Sequence, residues 1–190
     1  MELLQGKYLK LQNVLRSFPN LIVAYSGGVD STFLLKVAFD VLGDKVLGII
    51  GVSPSLPERE LTSALEVAQQ FHLPVKTIKT EELADDRYNS NPTNRCYFCK
   101  KVLFTELFDY ARRKGFQYIA DGTNADDEND FRPGKQAAKE FNIVSPLKEA
   151  GLTKADIREL SFQLHLPTWD KPEMACLASR FPTGTRITAD

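Results

Sequence analysis

The sequence contains few of the residues on which several protein classes depend. Its 190 residues include only three cysteines and two histidines. An odd number of cysteines excludes a complete set of internal disulfides. No apolar run approaches the roughly 18 residues of a membrane span, and Met1 to Lys10 lacks the apolar core of a signal peptide. We therefore expect a cytoplasmic protein, whose cysteines bind metal, take part in catalysis or are simply buried.

Strong net charge is also missing. The 24 basic residues are balanced by 25 acidic ones, which leaves a formal charge of -1. Such a chain has no overall attraction to a polyphosphate, so a small-molecule ligand is favoured over a nucleic acid. The hydrophobic content of 43% is ordinary for a folded domain and excludes a disordered or collagen-like chain.

Short apolar runs alternate with amphipathic stretches from residue 21 onward, which predicts an α/β fold with a parallel sheet flanked by helices. The strands are expected at 21–25, 46–52, 75–78, 118–120 and 143–145. Helices are expected at 32–42, after Pro57, from Cys96 to Gly115, near Pro133 and after a capping box at 153–156. The polar segment 85–95 is expected to be a surface loop. Regular periodicity ends after residue 166, so we divide the chain into a domain at 1–166 and an active-site segment at 167–190.

The strongest local signal follows the first strand directly. It reads Ser26-Gly27-Gly28-Val29-Asp30-Ser31. Adjacent glycines let a phosphate approach the backbone, and the next helix presents free N–H groups and the positive end of its dipole. The loop lacks the lysine of the GxxxxGK[ST] phosphate loop and the spacing of GxGxxG. It resembles the PP-loop of ATP pyrophosphatases, which implies that these six residues bind ATP and that Asp30 helps to bind Mg²⁺.

The three cysteines permit several interpretations. Cys96 and Cys99 form a CxxC pair at the start of a helix, and Cys176 lies far away in a segment without clear periodicity. Two nearby thiolates converge on one metal ion, and three thiolates suit an iron–sulfur cluster with one iron left open. A redox pair and two unrelated cysteines remain alternatives for the CxxC. Cys176, beside Arg180, is either a reactive thiol or a small buried residue. His72 and His165 are interpreted as core or surface residues rather than metal ligands.

Residues 21–188 resemble the LarE family of ATP-dependent sulfur transferases. The resemblance is carried by SGGVDS at 26–31, DGTNADDENDFRPG at 121–134, SPLKEAGLTKADIREL at 145–160 and WDKPEMACLASRFPTG at 169–184. It implies that ATP adenylates a carboxylate of pyridinium-3,5-biscarboxylic acid mononucleotide and that sulfur then displaces AMP. One branch of the family consumes the sulfur of a single cysteine, which Cys176 matches. Another holds a [4Fe-4S] cluster with three cysteines, and Cys96 and Cys99 associate the chain with that branch.

The same resemblance suggests further site residues and partners. Asp121 is the preferred extra magnesium ligand, because the acidic run at 126–130 is typical of a solvated loop. Arg132 and Arg180 are expected to clamp substrate or AMP phosphate, whereas Trp169 is interpreted as a packing residue. The cofactors are ATP, Mg²⁺ and the [4Fe-4S] cluster. The partners are a small nucleotide substrate, a sulfide source and further copies of the chain, but no membrane.

Two other functions remain open at the level of the sequence. A tRNA thiolase also combines a PP-loop with a CxxC and a third cysteine, although it needs a basic surface. A nucleotide-binding or metal-binding module without turnover would carry the same motifs. The family resemblance also predicts that the chain is the nucleotide-binding portion of a longer enzyme.

Overall fold

The computed structural model describes residues 2–129 and 133–188. Its helices are α1 (Glu2–Arg16), α2 (Val29–Leu42), α3 (Glu58–Gln70), α4 (Asp86–Asn89), α5 (Arg95–Lys114), α6 (Gly134–Glu140), α7 (Pro146–Glu149) and α8 (Lys154–Gln163). Its strands are β1 (Leu21–Ala24), β2 (Val46–Val52), β3 (Val75–Lys79) and β4 (Ile119–Ala120). Single helical turns lie at Gly43–Lys45, Glu82–Ala84, Ala125–Asn129 and Leu177–Arg180.

The described strands form one parallel sheet in the order β3-β2-β1-β4, which confirms the predicted α/β class. Strand β1 is central, and Leu21 pairs with Val46 of β2 while Ile22 pairs with Ile119 of β4. A strand covered on both faces is apolar along its whole length, as the sequence of β1 is. The strand expected at 143–145 is reduced to a single bridge between Ala120 and Val144.

Helices cover both faces of the sheet, and β1 contributes to both cores. Successive side chains of a strand point to opposite faces. Leu21 and Val23 accordingly pack with α1, α2, α3 and α8, whereas Ile22 packs with Phe104 and Leu107 of α5. Helix α1 was not predicted from the sequence, although its buried Leu11 and Leu15 have helical spacing.

The prediction of a surface loop at 85–95 was wrong. The segment contains α4, and Tyr88 and Asn91 are each only 1% exposed. Tyr88 packs with Ala178 and Ile187 in a small separate cluster. Asn91 donates from Nδ2 to the Pro182 carbonyl at 2.8 Å, and its own carbonyl accepts from the Gly184 N–H at 2.9 Å. Hydrogen bonds of the Asn91 side chain and of the carbonyls of Asn89 and Asn91 thus join this polar segment to residues 181–187, and composition alone does not reveal them.

The residues that we interpreted as structural behave accordingly. His72 and His165 are exposed and follow the ends of α3 and α8 with positive φ angles of 53° and 57°. They terminate helices in the left-handed conformation. Trp169 packs edge-on against Phe162, with ring centroids 5.1 Å apart. No helix within residues 2–129 and 133–188 has the length and apolar character needed to cross a bilayer.

Candidate functional site

The glycine pair lies where β1 ends and α2 begins, at the carboxyl edge of the sheet. Gly27 has a φ of +72°, and a Cβ atom there would lie 2.5 Å from the Cβ of Ala64 in α3. Only glycine meets both conditions without strain. Gly28 precedes the first turn of α2 without a side-chain cap, so the N–H groups of that turn remain available to a ligand.

The two serines of the loop are hydrogen-bonded to each other. Their Oγ atoms are 3.0 Å apart, and Ser31 Oγ also accepts from the Ser26 N–H at 3.1 Å. Ser31 is buried, whereas Ser26 is exposed. Val29, also buried, begins α2 and lines the adjoining cavity. The pair of hydroxyls therefore holds the loop open in a fixed shape at the mouth of the site.

Asp30 is the acidic residue of the loop, and it is joined to two distant parts of the chain. Lys154 Nζ forms a short ion pair with its Oδ2, and Asn124 Nδ2 donates to its Oδ1 at 3.3 Å. A Cβ atom on Gly122 would lie 3.1 Å from the backbone nitrogen of Ser31. The DGTN sequence at 121–124 thus packs closely against the start of α2.

Asp121 follows β4 and is 5% exposed. Its carboxylate accepts from Thr123 Oγ1 and Ser145 Oγ, both at 2.8 Å, and from the Thr123 N–H at 3.2 Å. These bonds shape the turn after β4. In the acidic run, Asp126 accepts from the Lys154 N–H at 2.7 Å and Asp127 from the Asn124 N–H at 3.0 Å. The Asp126 carboxylate thus holds the loop against the start of α8, whereas the Asp127 carboxylate shapes the loop itself.

Two cavities meet at the PP-loop. The first has a volume of about 360 Å³ and extends from Ser26 and Asp30 to Cys99 and Cys176. The second, of about 370 Å³, lies over the ends of β1, β2 and β4 and includes Asp121. Ser26, Gly28, Asp30, Gly51, Leu56, Leu103, Lys154 and Glu173 line both. One continuous space therefore connects the nucleotide loop to two of the three cysteines.

The three cysteines occupy one neighbourhood but differ in exposure. Cys96 and Cys176 are exposed, whereas Cys99 faces inward from α5. Burial raises the pKa of the Cys99 thiol to about 12, and charge on Glu82, Cys176 and Cys96 acts in the same direction. A helix N-terminus ordinarily lowers the pKa of a thiol, but for Cys99 at the start of α5 desolvation outweighs that effect. In the part of the chain that the structure describes, no group of three or more His, Cys, Asp or Glu side chains is arranged to hold a metal ion.

The segment that carries Cys176 is anchored at both ends. Lys171 Nζ contacts Glu60 Oε2 at 2.8 Å and donates to the Gly27 carbonyl at 3.2 Å. The Leu177 N–H donates to the Ser55 carbonyl at 3.1 Å, and Cys176 Sγ lies 3.3 Å from Ser179 Oγ. The residues between the anchors form the outer wall of the first cavity.

The helix that bears the CxxC pair is tied to the same segment. Arg95 donates through Nη1 to the Ala178 carbonyl at 2.8 Å and through Nη2 to Ser179 Oγ at 3.2 Å. Arg95 directly precedes Cys96, and Ser179 contacts Cys176. The tertiary fold thereby brings the distant third cysteine beside the pair.

The sequence suggested two arginines, Arg132 and Arg180, as phosphate-binding residues, and the structure describes only the second of them. Arg180 is exposed and does not line either cavity, and its guanidinium makes no hydrogen bond or ion pair with other described residues. Arg132 lies outside the described residues. The roles expected of both arginines stay predictions.

Sequence reasoning missed several polar residues of the site. Lys154, Lys171, Glu60 and Glu82 all line the first cavity. Lys154 was considered only as part of a helix cap. Its position in the family-like block at 145–160 was the available signal, whereas Glu60 and Glu82 stand in ordinary charged stretches that offered none.

Comparisons with known proteins agree with this geometry. The sequence profile described as NAD synthase matches residues 6–105. The chain is 47% identical to an uncharacterised protein of Synechocystis, over 95% of this chain and 69% of that one. It is 36% identical to pyridinium-3,5-bisthiocarboxylic acid mononucleotide synthase of Lactiplantibacillus plantarum, over 100% of this chain and 69% of the relative. Among solved structures, an NH3-dependent NAD synthetase of Campylobacter jejuni superimposes with a TM-score of 0.67 at 17% identity, covering 90% of this chain and 79% of the other.

Proposed function

Because the chain belongs to the PP-loop family that includes pyridinium-3,5-bisthiocarboxylic acid mononucleotide synthase, we propose that it is an ATP-dependent sulfur transferase of nickel-pincer cofactor synthesis. Its substrate would be a pyridinium dicarboxylate mononucleotide, and its product a thiocarboxylate. The observation that carries the proposal is the shared cavity, because the PP-loop and two cysteines open into the same space.

The first half-reaction is adenylation at the PP-loop. The N–H groups at the start of α2 and the hydroxyls of Ser26 and Ser31 would bind the β- and γ-phosphates of ATP. A carboxylate oxygen of the substrate would attack the α-phosphorus, and the bond to pyrophosphate would break. Lys154 contacts Asp30 and Lys171 contacts the Gly27 carbonyl, so both ammonium groups lie beside the loop. There they would stabilise the negative charge that develops on the pyrophosphate leaving group.

Mg²⁺ fits the oxygen atoms beside the loop. The carboxylates of Asp30 and Asp121, which both line the second cavity, are hard ligands of the kind that Mg²⁺ prefers. The ion would neutralise the pyrophosphate. Lys154 Nζ pairs with the same Asp30 carboxylate, so the lysine would have to move away from Asp30 for that carboxylate to hold the ion.

The second half-reaction transfers sulfur at the other end of the cavity. Three thiols in one neighbourhood suit an iron–sulfur cluster in their chemistry, with Cys96, Cys99 and Cys176 as the ligands. When bound, a [4Fe-4S] cluster with an open iron would supply a sulfide there. The anchors at Lys171 and Leu177 would position Cys176, and sulfur attack on the acyl adenylate would release AMP.

The adenylation step is tested by pyrophosphate release. Wild-type protein is incubated with ATP, Mg²⁺ and pyridinium-3,5-biscarboxylic acid mononucleotide. Asp30→Asn should reduce release at least tenfold, because it weakens the metal site. Asp44→Asn, at an exposed position in the turn after α2, is the matched control and should release pyrophosphate as the wild type does. Equal rates in wild type and Asp30→Asn would contradict the proposal.

The cluster is tested separately by anaerobic reconstitution with iron and sulfide. Wild type should bind about four iron atoms and show charge-transfer absorbance near 400 nm. Each of Cys96→Ala, Cys99→Ala and Cys176→Ala should lower the iron content. If wild type and the three variants retain the same iron content, the cysteines do not hold a cluster. A gel-shift titration with tRNA is the further arm, since strong salt-dependent binding would favour a tRNA thiolase.

A further inference from the structure

Glu82 is a buried carboxylate that lines the first cavity. It begins the turn that follows β3 and is 3% exposed. Ser53 Oγ donates a short hydrogen bond to its Oε1. None of the ion pairs formed among the described residues includes Glu82. An unpaired carboxylate that loses its water costs free energy unless a ligand or a partner compensates for it.

The cavity around Glu82 offers no spare positive charge from the described residues that line it. Four acidic residues and two lysines line this space. Lys154 is paired with Asp30 and Glu173, and Lys171 is paired with Glu60. Among the described residues that line this cavity, Glu82 is thus the carboxylate without an ion-pair partner.

Glu82 lies in the first cavity together with cysteines at which sulfur would be transferred. Cys99 and Cys176 line the same cavity as Glu82. A substrate carboxylate that is to receive sulfur must come near these cysteines, and the ring that bears the carboxylate must come with it. In the relative's product that ring is a pyridinium, which carries a fixed positive charge and no N–H group. Such a ring is recognised by a nearby negative charge rather than by a hydrogen-bond acceptor alone.

We propose that Glu82 is a specificity-determining residue that pairs with the cationic pyridinium ring of the substrate. This inference rests on the proposed function. Ser53 orients the carboxylate toward the cavity, and the apolar walls at Leu56 and Leu103 strengthen the attraction by excluding water. The pairing selects the oxidised cationic ring over a neutral one of the same shape.

The test uses two probes that differ in ring charge. Nicotinamide mononucleotide carries a pyridinium, and its reduced form carries a neutral dihydropyridine. Binding of each is measured by calorimetry under anaerobic conditions. Wild type should bind the cationic form about tenfold more tightly, and Glu82→Gln should bind both forms about equally. Glu66→Gln, at an exposed position of α3, is the matched control and should keep the tenfold preference.

Four outcomes would overturn the inference. Glu82→Gln could retain the preference, or wild type could bind both forms equally, and either result would leave the proposed function standing. A loss of thermal stability in Glu82→Gln, with an equal loss of affinity for both probes, would instead make Glu82 a structural residue. If wild type binds neither probe, the proposed substrate class fails together with the inference, and the pyrophosphate assay shows whether ATP chemistry remains.

Discussion

Replacing Gly27 by alanine should strongly destabilise the protein and weaken its nucleotide loop. Gly27 adopts a φ of +72°, a conformation that costs an alanine roughly 1 kcal/mol. Its Cβ would also lie 2.5 Å from the Cβ of Ala64 and 3.1 Å from the Ala64 Cα. Carbon atoms prefer a separation of about 3.5 to 4.0 Å, so either the loop or α3 must move.

The size of the effect follows from these two contributions. Overpacking of this kind typically costs about 1 to 3 kcal/mol. Together with the backbone strain, we expect Gly27→Ala to lower the free energy of unfolding by about 2 to 4 kcal/mol, a large part of the roughly 5 to 15 kcal/mol that holds a domain together. Because the loop would shift, ATP affinity should fall as well.

A double-mutant cycle separates the contact from the backbone strain. Ala64→Gly alone should cost about 1 kcal/mol, as a glycine inside a helix does. In combination with Gly27→Ala it removes the nearest clashing atom, so the pair should be about 1 to 2 kcal/mol more stable than the sum of the single effects. Urea unfolding of the four proteins gives the coupling energy. A cost below 1 kcal/mol for Gly27→Ala, or a coupling near zero, would refute the close approach of the loop to α3.

Three further predictions concern the packing around the site. Tyr88→Phe should remove a phenol whose pKa burial raises to about 12, so wild type should lose more stability than this variant as the pH rises from 10 through 12. Thr153→Ala should cost about 1 kcal/mol in urea unfolding, because Thr153 caps α8 in a capping box. Lys171→Met should speed alkylation of Cys176 in peptide mapping because the segment loses its anchor, while Cys99 should react slowly in every variant because its thiol pKa is raised to about 12.

Each of these predictions has a control and a contrary result. The tyrosine prediction fails if wild type and variant lose stability in parallel above pH 10. Thr62→Ala, at an exposed position inside α3, controls for the general effect of removing a threonine from a helix. Lys171→Arg keeps the charge and should preserve the wild-type rate of Cys176 alkylation, whereas an unchanged rate in Lys171→Met would show that the ion pair with Glu60 does not anchor the segment.

Local patterns determined much of the fold before any tertiary information. The apolar run at Leu21 to Tyr25 predicted a central parallel strand, since only a strand covered on both faces is apolar throughout. The sequence Thr153 to Asp156 predicted the start of α8, and the observed bonds form a complete capping box. Both signals succeed because they depend on neighbours in the chain.

The segment at 85–95 shows where such patterns fail. Its polar composition predicted a loop exposed to solvent, but Tyr88 and Asn91 are buried against residues 178–187. Their partners lie roughly 90 positions away in sequence. Burial of a polar residue depends on whether distant backbone groups complete its hydrogen bonds, and composition carries no information on that.

The sequence alone determined the chemical parts of this protein: a glycine-rich loop between a strand and a helix, an acidic residue within it and three cysteines. These are properties of residue type and short spacing. Only the tertiary structure decided how the parts meet. It left Cys99 partly buried and Cys96 and Cys176 exposed, tied Lys154 to Asp30 and Lys171 to Gly27, and placed Glu82 in a cavity where no described residue forms an ion pair with it. The reason is physical, because burial, pairing and thiol pKa depend on groups that only folding brings together.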